Sequence, residues 1–283
     1  MSRHTDKDMN YFFASFYHFT ELENLPRLRD EFLSYRGDIL GLIILADEGI
    51  NGTIAGSREI VTSFVSRLCG KLGLDEEHVK HSQAVMKRKP FRRLKIKIKD
   101  EIVTSGIPNL DVEKFKGTYV EPDNWNEFIN DPDVLLVDVR NVYEHRIGTF
   151  AGARDPKTLN FRQFPQAIER IISEEQPEKI AMFCTGGIRC EKASAYLRQR
   201  GFDNVYHLHG GVIRYLEQIS AKNSLWNGKC FVFDGRITVN HNLEAEPEPL
   251  CRVCGQVMLK VPESGEYECY QCIEYPMKSG TEQ

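Results

Sequence analysis

The 283-residue sequence contains no apolar run approaching the roughly 20 residues that a membrane-spanning helix requires. Its first ten residues are polar and contain no apolar signal-peptide core. The net charge is −4, so the chain as a whole is not a polycation, and nucleic-acid contact requires a local basic patch. These absences favour a cytoplasmic protein with no membrane segment.

Cofactor signatures are absent as well. No Gly-x-Gly-x-x-Gly fingerprint for flavin or NAD stands between a predicted strand and helix. The eight histidines are scattered and form no two-His-one-carboxylate set for iron. We therefore expect no flavin or NAD site. The eight cysteines include two Cys-x-x-Cys pairs, which in a cytoplasmic chain indicate metal binding or thiol chemistry rather than disulfides.

The first third of the chain has the hydrophobic pattern of a small α+β domain. Apolar runs and period-2 alternation predict strands at 11–19, 41–46, 50–55 and 94–98. Helical spacing predicts helices at 21–35 and 57–72. The resulting β-α-β-β-α-β order predicts a ferredoxin-like domain. We assign residues 1–117 to it and expect it to contact RNA.

The next hundred residues alternate short apolar strands with helices. The predicted strands lie at 134–139, 180–183 and 205–208, and the predicted helices at 164–172, 191–200 and 212–219. This alternation is typical of an α/β domain whose parallel sheet is covered on both faces. We assign residues 118–222 to this domain and residues 223–283 to a C-terminal extension.

Cys184 directly follows the predicted strand 180–183, at the sheet edge where α/β proteins bind ligands. Gly186 and Gly187 allow the backbone to turn N–H groups toward the sulfur, and the next helix adds its positive end. We therefore expect a reactive thiolate or persulfide, with a Cys184 pKa below about 8.5. Arg189 closes the loop and adds a cation. The alternative, a buried inert cysteine, fits the two glycines and Arg189 poorly.

The predicted active-site loop comprises Cys184, Thr185, Gly186, Gly187, Ile188 and Arg189. Cys190 follows it as a second thiol, near the start of the predicted helix. No Arg or Lys occupies the five positions after Lys192, so Cys190 has no similar loop of its own. A role as partner or resolving thiol and a role in packing both stay open.

Residues 87–99 form a basic segment, with eight basic residues and no acidic one. These are Lys87, Arg88, Lys89, Arg92, Arg93, Lys95, Lys97 and Lys99. Their sign and density suit a nucleic-acid backbone, and Phe91 among them is placed to stack on a base. The alternative is a solvated edge strand whose lysines prevent aggregation.

Two Cys-x-x-Cys knuckles, separated by 14 residues, lie near the C-terminus. Their members are Cys251, Cys254, Cys269 and Cys272. Four thiolates at this spacing predict a tetrahedral, closed zinc site with a structural role, in a zinc-ribbon-like module. A redox-active disulfide pair is the alternative.

Five short motifs between residues 118 and 222 resemble the rhodanese superfamily. They are Val-Asp-Val-Arg at 137–140, Tyr143-Glu144 with Gly148, Ala-Gly-Ala at 151–153, the Cys184 loop, and Leu-His-Gly-Gly at 208–211. The loop length resembles that of sulfur-handling rhodaneses rather than that of the related phosphatases, whose loop is one residue longer. The resemblance implies mainly structural roles for Asp138, Arg140 and Glu144. Thr149 stands where many rhodaneses have histidine. Thr185 stands where thiosulfate-using enzymes often have a basic residue, which argues against thiosulfate as substrate.

Three longer blocks resemble the bacterial tRNA uridine hydroxylases: residues 46–56, 184–192 and 231–236. This resemblance implies a tRNA-modifying oxidoreductase that converts the wobble uridine, position 34, to 5-hydroxyuridine. It also implies molecular oxygen as co-substrate and an essential cysteine at position 184. The electron donor is unknown.

Three hypotheses follow from these motifs. The first is the tRNA uridine hydroxylase, which accounts for the whole-chain resemblance. The second is a rhodanese-type sulfurtransferase or persulfide relay, which the loop alone supports. The third is a non-catalytic RNA-binding zinc protein, which the presence of a nucleophile at Cys184 disfavours.

Overall fold

A computed structural model describes residues 9–75, 78–261 and 264–274. Its first part contains β1 (Met9–Phe19), α1 (Leu25–Leu33), β2 (Leu40–Ala46), β3 (Gly49–Gly56), α2 (Arg58–Leu72), β4 (Lys80–Met86) and β5 (Leu94–Ile98). The strands form one sheet in the spatial order β4-β1-β3-β2-β5. The first four strands and two helices make the ferredoxin-like arrangement, and β5 extends it by pairing parallel to β2.

The strand that completes the ferredoxin-like motif is β4, and the prediction that 94–98 completes it is wrong. Of the seven residues of β4, only Ala84 is buried, so its sequence lacks the apolar alternation that marks a half-buried strand. The expected inward face of β5 is also only partly correct. Leu94 is buried, but Ile98 is 39% exposed at the sheet edge.

The two faces of this first sheet have different partners. One face packs against α1 and α2 through a core that includes Phe12, Phe16 and Ile54. The opposite face carries Ser15 on β1 and Thr53 on β3, which are paired in register. This face, which we call the open face, lines the pocket described below.

The second part of the chain has a four-stranded parallel sheet. Its elements are α3 (Val112–Phe115), β6 (Thr118–Val120), α4 (Pro122–Ile129), β7 (Val134–Asp138), α5 (Val142–Ile147), β8 (Gly148–Phe150), α6 (Phe164–Glu175), β9 (Lys179–Phe183), α7 (Ile188–Gln199), β10 (Val205–Leu208) and α8 (Gly211–Gln218). The sheet order is β6-β10-β9-β7. Separate apolar clusters pack on its two faces, one containing Trp125 and Tyr215, the other Phe164 and Leu197. The predicted doubly covered sheet is confirmed.

The C-terminal extension begins as part of the second unit. Its elements are β11 (Trp226–Gly228), β12 (Cys230–Phe231), β13 (Thr238–Val239), β14 (Leu259–Lys260), β15 (Tyr267–Glu268) and α9 (Tyr270–Glu274). β11 pairs with β8, and Trp226 joins the core that contains Phe150 and Phe183. The boundaries at 117 and 222 stay predictions. Within the described residues, no helix is long and apolar enough to cross a membrane.

Candidate active site

Cys184 is fully buried at the carboxyl end of β9. The N–H of Gly187 donates to Cys184 Sγ at 3.2 Å, so the loop curls around the sulfur. Gly187 adopts φ +105°, and a Cβ there would lie 2.7 Å from Tyr17 Oη, so only glycine fits. Burial alone would raise the pKa of Cys184. Hydrogen bonding from Cys190 and Gly187 and the Arg189 charge outweigh burial and lower this pKa to about 5. The predicted lowering is confirmed.

Cys190 lies inside α7, which begins at Ile188 rather than at 191. It is fully buried in the same apolar cluster as Cys184. Burial and the hydrogen bond to Cys184 raise the Cys190 pKa well above its usual value. Cys190 is therefore a protonated thiol that donates to the Cys184 thiolate. Its resolving role stays a prediction.

The cation that closes the loop is already paired. Arg189 donates to both carboxylate oxygens of Glu144, at 2.7 and 2.8 Å, and both side chains are buried. Glu144 also accepts from the N–H of Asn141 at 3.1 Å, which caps α5. The sequence predicted the position of Arg189 but not this partner. Helix α5 therefore holds the orientation of Arg189 beside Cys184.

Asp138 and Arg140 form a second buried ion pair, with Nη2–Oδ2 and Nε–Oδ1 distances of 2.6 and 2.8 Å. Arg140 also donates to Gly148 O at 2.6 Å, and Thr149 Oγ1 donates to Asp138 at 3.0 Å. These contacts join the end of β7 to β8. They support the structural interpretation of the pair. Thr149, at the position where many rhodaneses have histidine, forms its hydrogen bond with Asp138.

Cys184 lies at a cavity of about 410 Å³ whose walls come from all three parts of the chain. The loop contributes Cys184, Thr185, Gly186, Ile188 and Arg189, and the open face contributes Ser15, Tyr17, Asn51, Thr53 and Lys80. The C-terminal extension contributes Val232, Phe233, Asp234 and Arg236. The three sequence blocks at 46–56, 184–192 and 231–236 therefore meet at one pocket. Its volume lies within the range of small-molecule binding pockets.

Sequence reasoning missed a buried polar group behind the loop. Glu191 accepts hydrogen bonds from Tyr17 Oη and Tyr119 Oη, each at 3.0 Å. Burial raises the Glu191 pKa to about 7. Tyr17 belongs to the first sheet and Tyr119 to the second, so this carboxyl joins the two units. No local signal marks the group, because its members are far apart in sequence.

The eight basic residues of the 87–99 segment are all exposed. Among the residues that the structure describes, none of the eight has an ion-pair partner. Phe91, in the connection from β4 to β5, lines the pocket. Gly235 packs against Pro90 so closely that a Cβ would lie 2.5 Å from Pro90 Cα. This connection therefore lies at the pocket mouth, while Lys95, Lys97 and Lys99 continue along the sheet edge. Contact with RNA stays a prediction.

The four C-terminal cysteines come together. Their sulfur atoms lie within 4.8 Å of one another, with 3.8 Å between Cys251 and Cys272 and 3.3 Å between Cys254 and Cys269. Tetrahedral ligands about 2.3 Å from zinc are separated by about 3.8 Å, so the donor set fits a zinc-type ion. The hairpin β14–β15 separates the two knuckles. The Arg146 guanidinium lies 3.6 Å from the Tyr270 ring and joins this module to α5.

The chain combines a rhodanese-type cysteine loop with a ferredoxin-like sheet whose open face lies opposite that loop. It is therefore a two-unit protein of the rhodanese-domain class. The UPF0176 acylphosphatase-like domain matches residues 11–102, and the rhodanese-like domain matches residues 121–218. A tRNA uridine(34) hydroxylase of Teredinibacter turnerae is 47% identical over 87% of this chain and 76% of its own length. The tRNA uridine(34) hydroxylase of a Synechocystis species is 48% identical, over 87% and 89%. The chain belongs to the tRNA uridine(34) hydroxylase family.

Among solved structures, the rhodanese-like domain from an Anabaena species is 19% identical with a TM-score of 0.31. That match covers 39% of this chain and 78% of the Anabaena domain.

Proposed function

We propose that this protein is the enzyme that hydroxylates the wobble uridine of tRNA to 5-hydroxyuridine, with Cys184 as its reactive group. The observation that carries the proposal is the buried thiol of Cys184, whose pKa is lowered to about 5, at a pocket built by all three parts of the chain. The two relatives bearing the hydroxylase name support the assignment of the reaction. From the proposed tRNA substrate we infer that the reaction takes place in the cytoplasm.

The reaction exchanges the C5 hydrogen of uracil for a hydroxyl group. With molecular oxygen as oxidant, one oxygen atom enters the base and the other leaves as water. Two electrons and two protons come from a reductant. A thiolate is a nucleophile suited to C6, the carbon conjugated to the C4 carbonyl. Its addition makes C5 electron-rich, and C5 then bonds to one atom of the oxygen molecule. The two electrons from the reductant break the O–O bond, and the other oxygen atom leaves as water. Loss of the C5 proton and expulsion of the Cys184 thiolate then restore the aromatic base.

The basic segment supplies the proposed contact with the tRNA backbone. It concentrates eight exposed charges at the pocket mouth and along the adjoining sheet edge, on a chain whose net charge is −4. Removing one lysine–phosphate or arginine–phosphate pair should reduce the slope of log affinity against log salt by about one. We expect the triple change Arg88→Gln, Lys89→Gln and Arg92→Gln to weaken tRNA binding more than Lys95→Gln, Lys97→Gln and Lys99→Gln. No effect of either triple change in salt-dependent filter binding would return the segment to a solvated edge, whereas equal effects would spread the contact over the whole segment.

Zinc in the four-cysteine module is the proposed resident metal. The four sulfurs leave no open position for a substrate, so the ion would fold the extension rather than take part in the reaction. The contact of Arg146 with Tyr270 supports a role in fixing the extension against α5.

A sulfurtransferase or persulfide relay is the second candidate. Two observations favour it. The loop from Cys184 to Arg189 has the length found in sulfur-handling rhodaneses. The N–H groups and charges that lower the pKa of the Cys184 thiol would also stabilise a persulfide anion. The two candidates differ in product, since one adds oxygen to uridine and the other moves sulfur.

The deciding experiment is nucleoside mass spectrometry of tRNA from cells with and without the gene. We expect loss of the 5-hydroxyuridine family of nucleosides, restored by wild type but not by Cys184→Ser. Loss of a sulfur-containing nucleoside with 5-hydroxyuridine intact would replace the hydroxylase with the relay.

A further inference from the structure

Lys80 crosses from the first sheet to the Cys184 loop. It lies on β4, on the open face, and is paired in register with Ser15 of β1. Its ammonium donates to Gly186 O at 2.5 Å and also to Gly210 O. One side chain of the ferredoxin-like unit therefore holds two backbone turns of the rhodanese-like unit.

These two carbonyls belong to the turns that shape the loop. Because loop N–H groups point inward at the Cys184 sulfur, the Gly186 carbonyl points outward and requires a donor. The second turn, at Gly210 and Gly211, packs directly beneath the first. Val212 N donates to Cys184 O at 3.0 Å, and a Cβ at Gly211 would lie 2.5 Å from the same oxygen. Lys80 bridges the outer side of both turns.

The charge of Lys80 faces the thiolate as well. Lys80 is half-buried as a residue, but desolvation of its ammonium inside the pocket lowers its pKa to about 8, and attraction to Cys184 opposes this effect. The other charged groups around it are Glu217 and Arg214 of α8 and Glu191 of α7. In the described parts of the chain, no carboxylate lies within ion-pair distance of the ammonium. Cys184 is therefore the strongest attractive charge on Lys80, while hydrogen bonds from Cys190 and the charge of Arg189 act more strongly on Cys184.

We propose that Lys80 is a positioning residue through which the ferredoxin-like unit completes the reactive loop, holding the turns at Gly186 and Gly210 and keeping Cys184 ionised. The reactive thiol then depends on both units, although every atom of the loop belongs to one. The reactivity of Cys184 can be measured without tRNA. Its dependence on Lys80 can therefore be refuted while the hydroxylase assignment stands, and the hydroxylase assignment can be refuted while this dependence stands.

The test compares Lys80→Met, which removes the charge and both hydrogen bonds, with Lys222→Met, which changes an exposed lysine. The readout is the rate of Cys184 alkylation by iodoacetamide against pH, followed on the Cys184 peptide by mass spectrometry. In Lys80→Met we expect the midpoint to rise by about half a pH unit, so alkylation at pH 5 falls about twofold. Lys222→Met should match the wild type, whose midpoint is expected at about 5.

Lys80→Gln keeps a donor but removes the charge, and serves if the methionine variant does not fold. We expect it to shift the midpoint in the same direction, and in tRNA turnover to lower kcat with little change in KM. An unchanged alkylation midpoint in a folded variant would overturn the proposal. So would a raised KM with an unchanged midpoint, because Lys80 would then contact the tRNA instead.

Discussion

Two groups of cysteines in this chain have opposite environments. Cys184 is a single thiol whose charge is stabilised by the protein itself, through N–H groups, Cys190 and Arg189. Each of the four C-terminal cysteines has the other three sulfurs as its main neighbours. The backbone N–H groups of Cys254 and Val253 lower the Cys251 pKa to about 6, whereas its cysteine neighbours raise the Cys272 pKa to about 12. Four adjacent thiolates require a bound metal ion, whereas one thiolate in a built cradle is stabilised by donors and cations of the protein itself.

The largest expected effect is on the reaction itself, which depends directly on Cys184 and not on the four C-terminal cysteines. We expect Cys184→Ser to lower formation of 5-hydroxyuridine by about 10³-fold or more, because the serine hydroxyl is not ionised near neutral pH. Metal content and thermal midpoint should stay those of the wild type. Residual turnover above a few per cent, measured on purified tRNA, would exclude Cys184 as the reactive group.

Changing the C-terminal cysteines should remove the metal and leave the reactivity of Cys184 unchanged. We expect Cys251→Ser with Cys254→Ser to reduce bound zinc from one per chain to near zero, as measured by elemental analysis of reduced protein. The alkylation midpoint of Cys184 should stay near 5, because the two sites share no side chain. Cys69→Ser, outside both groups, is the control. Zinc retained by the double variant would count against a four-sulfur site.

Glu144 tests how far the cradle depends on the buried ion pair. Glu144→Gln leaves the Arg189 charge buried without its partner, so we expect a loss of about 3–5 kcal/mol in the free energy of unfolding. The exposed Glu113→Gln should change it by less than about 0.5 kcal/mol. Denaturant titration gives both values. Similar stabilities would mean that Arg189 finds another acceptor.

The last predictions concern pH. The Cys184 pKa is lower in the folded than in the unfolded protein, so ionisation adds stability that is fully present above the unfolded pKa of about 8.5. This contribution is lost as pH falls toward 5. Subtracting the profile of Cys184→Ser isolates it from the other thiols.

Cys190→Ala should raise the Cys184 alkylation midpoint by less than about one unit, since one of several donors is lost. A midpoint that falls would contradict the assigned direction of that hydrogen bond.

Local patterns predicted the elements whose burial follows a regular period. The strands ending at Phe19, Ala46 and Phe183 and the helix ending at Leu72 end where expected. β4 was missed because its open face is polar where it meets another unit rather than water. A polar residue that lies in a pocket and one that lies in solvent look the same to a periodicity argument.

The sequence by itself determined the chemistry available: a cysteine followed by two glycines and an arginine at the end of a buried strand, and four cysteines in two knuckles. Chain-local geometry is sufficient for those features, because a loop of six residues contains its own N–H donors. Only the tertiary structure decided what faces the thiol. Tyr17, Lys80 and Glu144 lie 167, 104 and 40 residues from Cys184 along the chain. They meet the Cys184 loop because two sheets and a C-terminal extension close around one cavity, and their contacts depend on packing rather than on spacing.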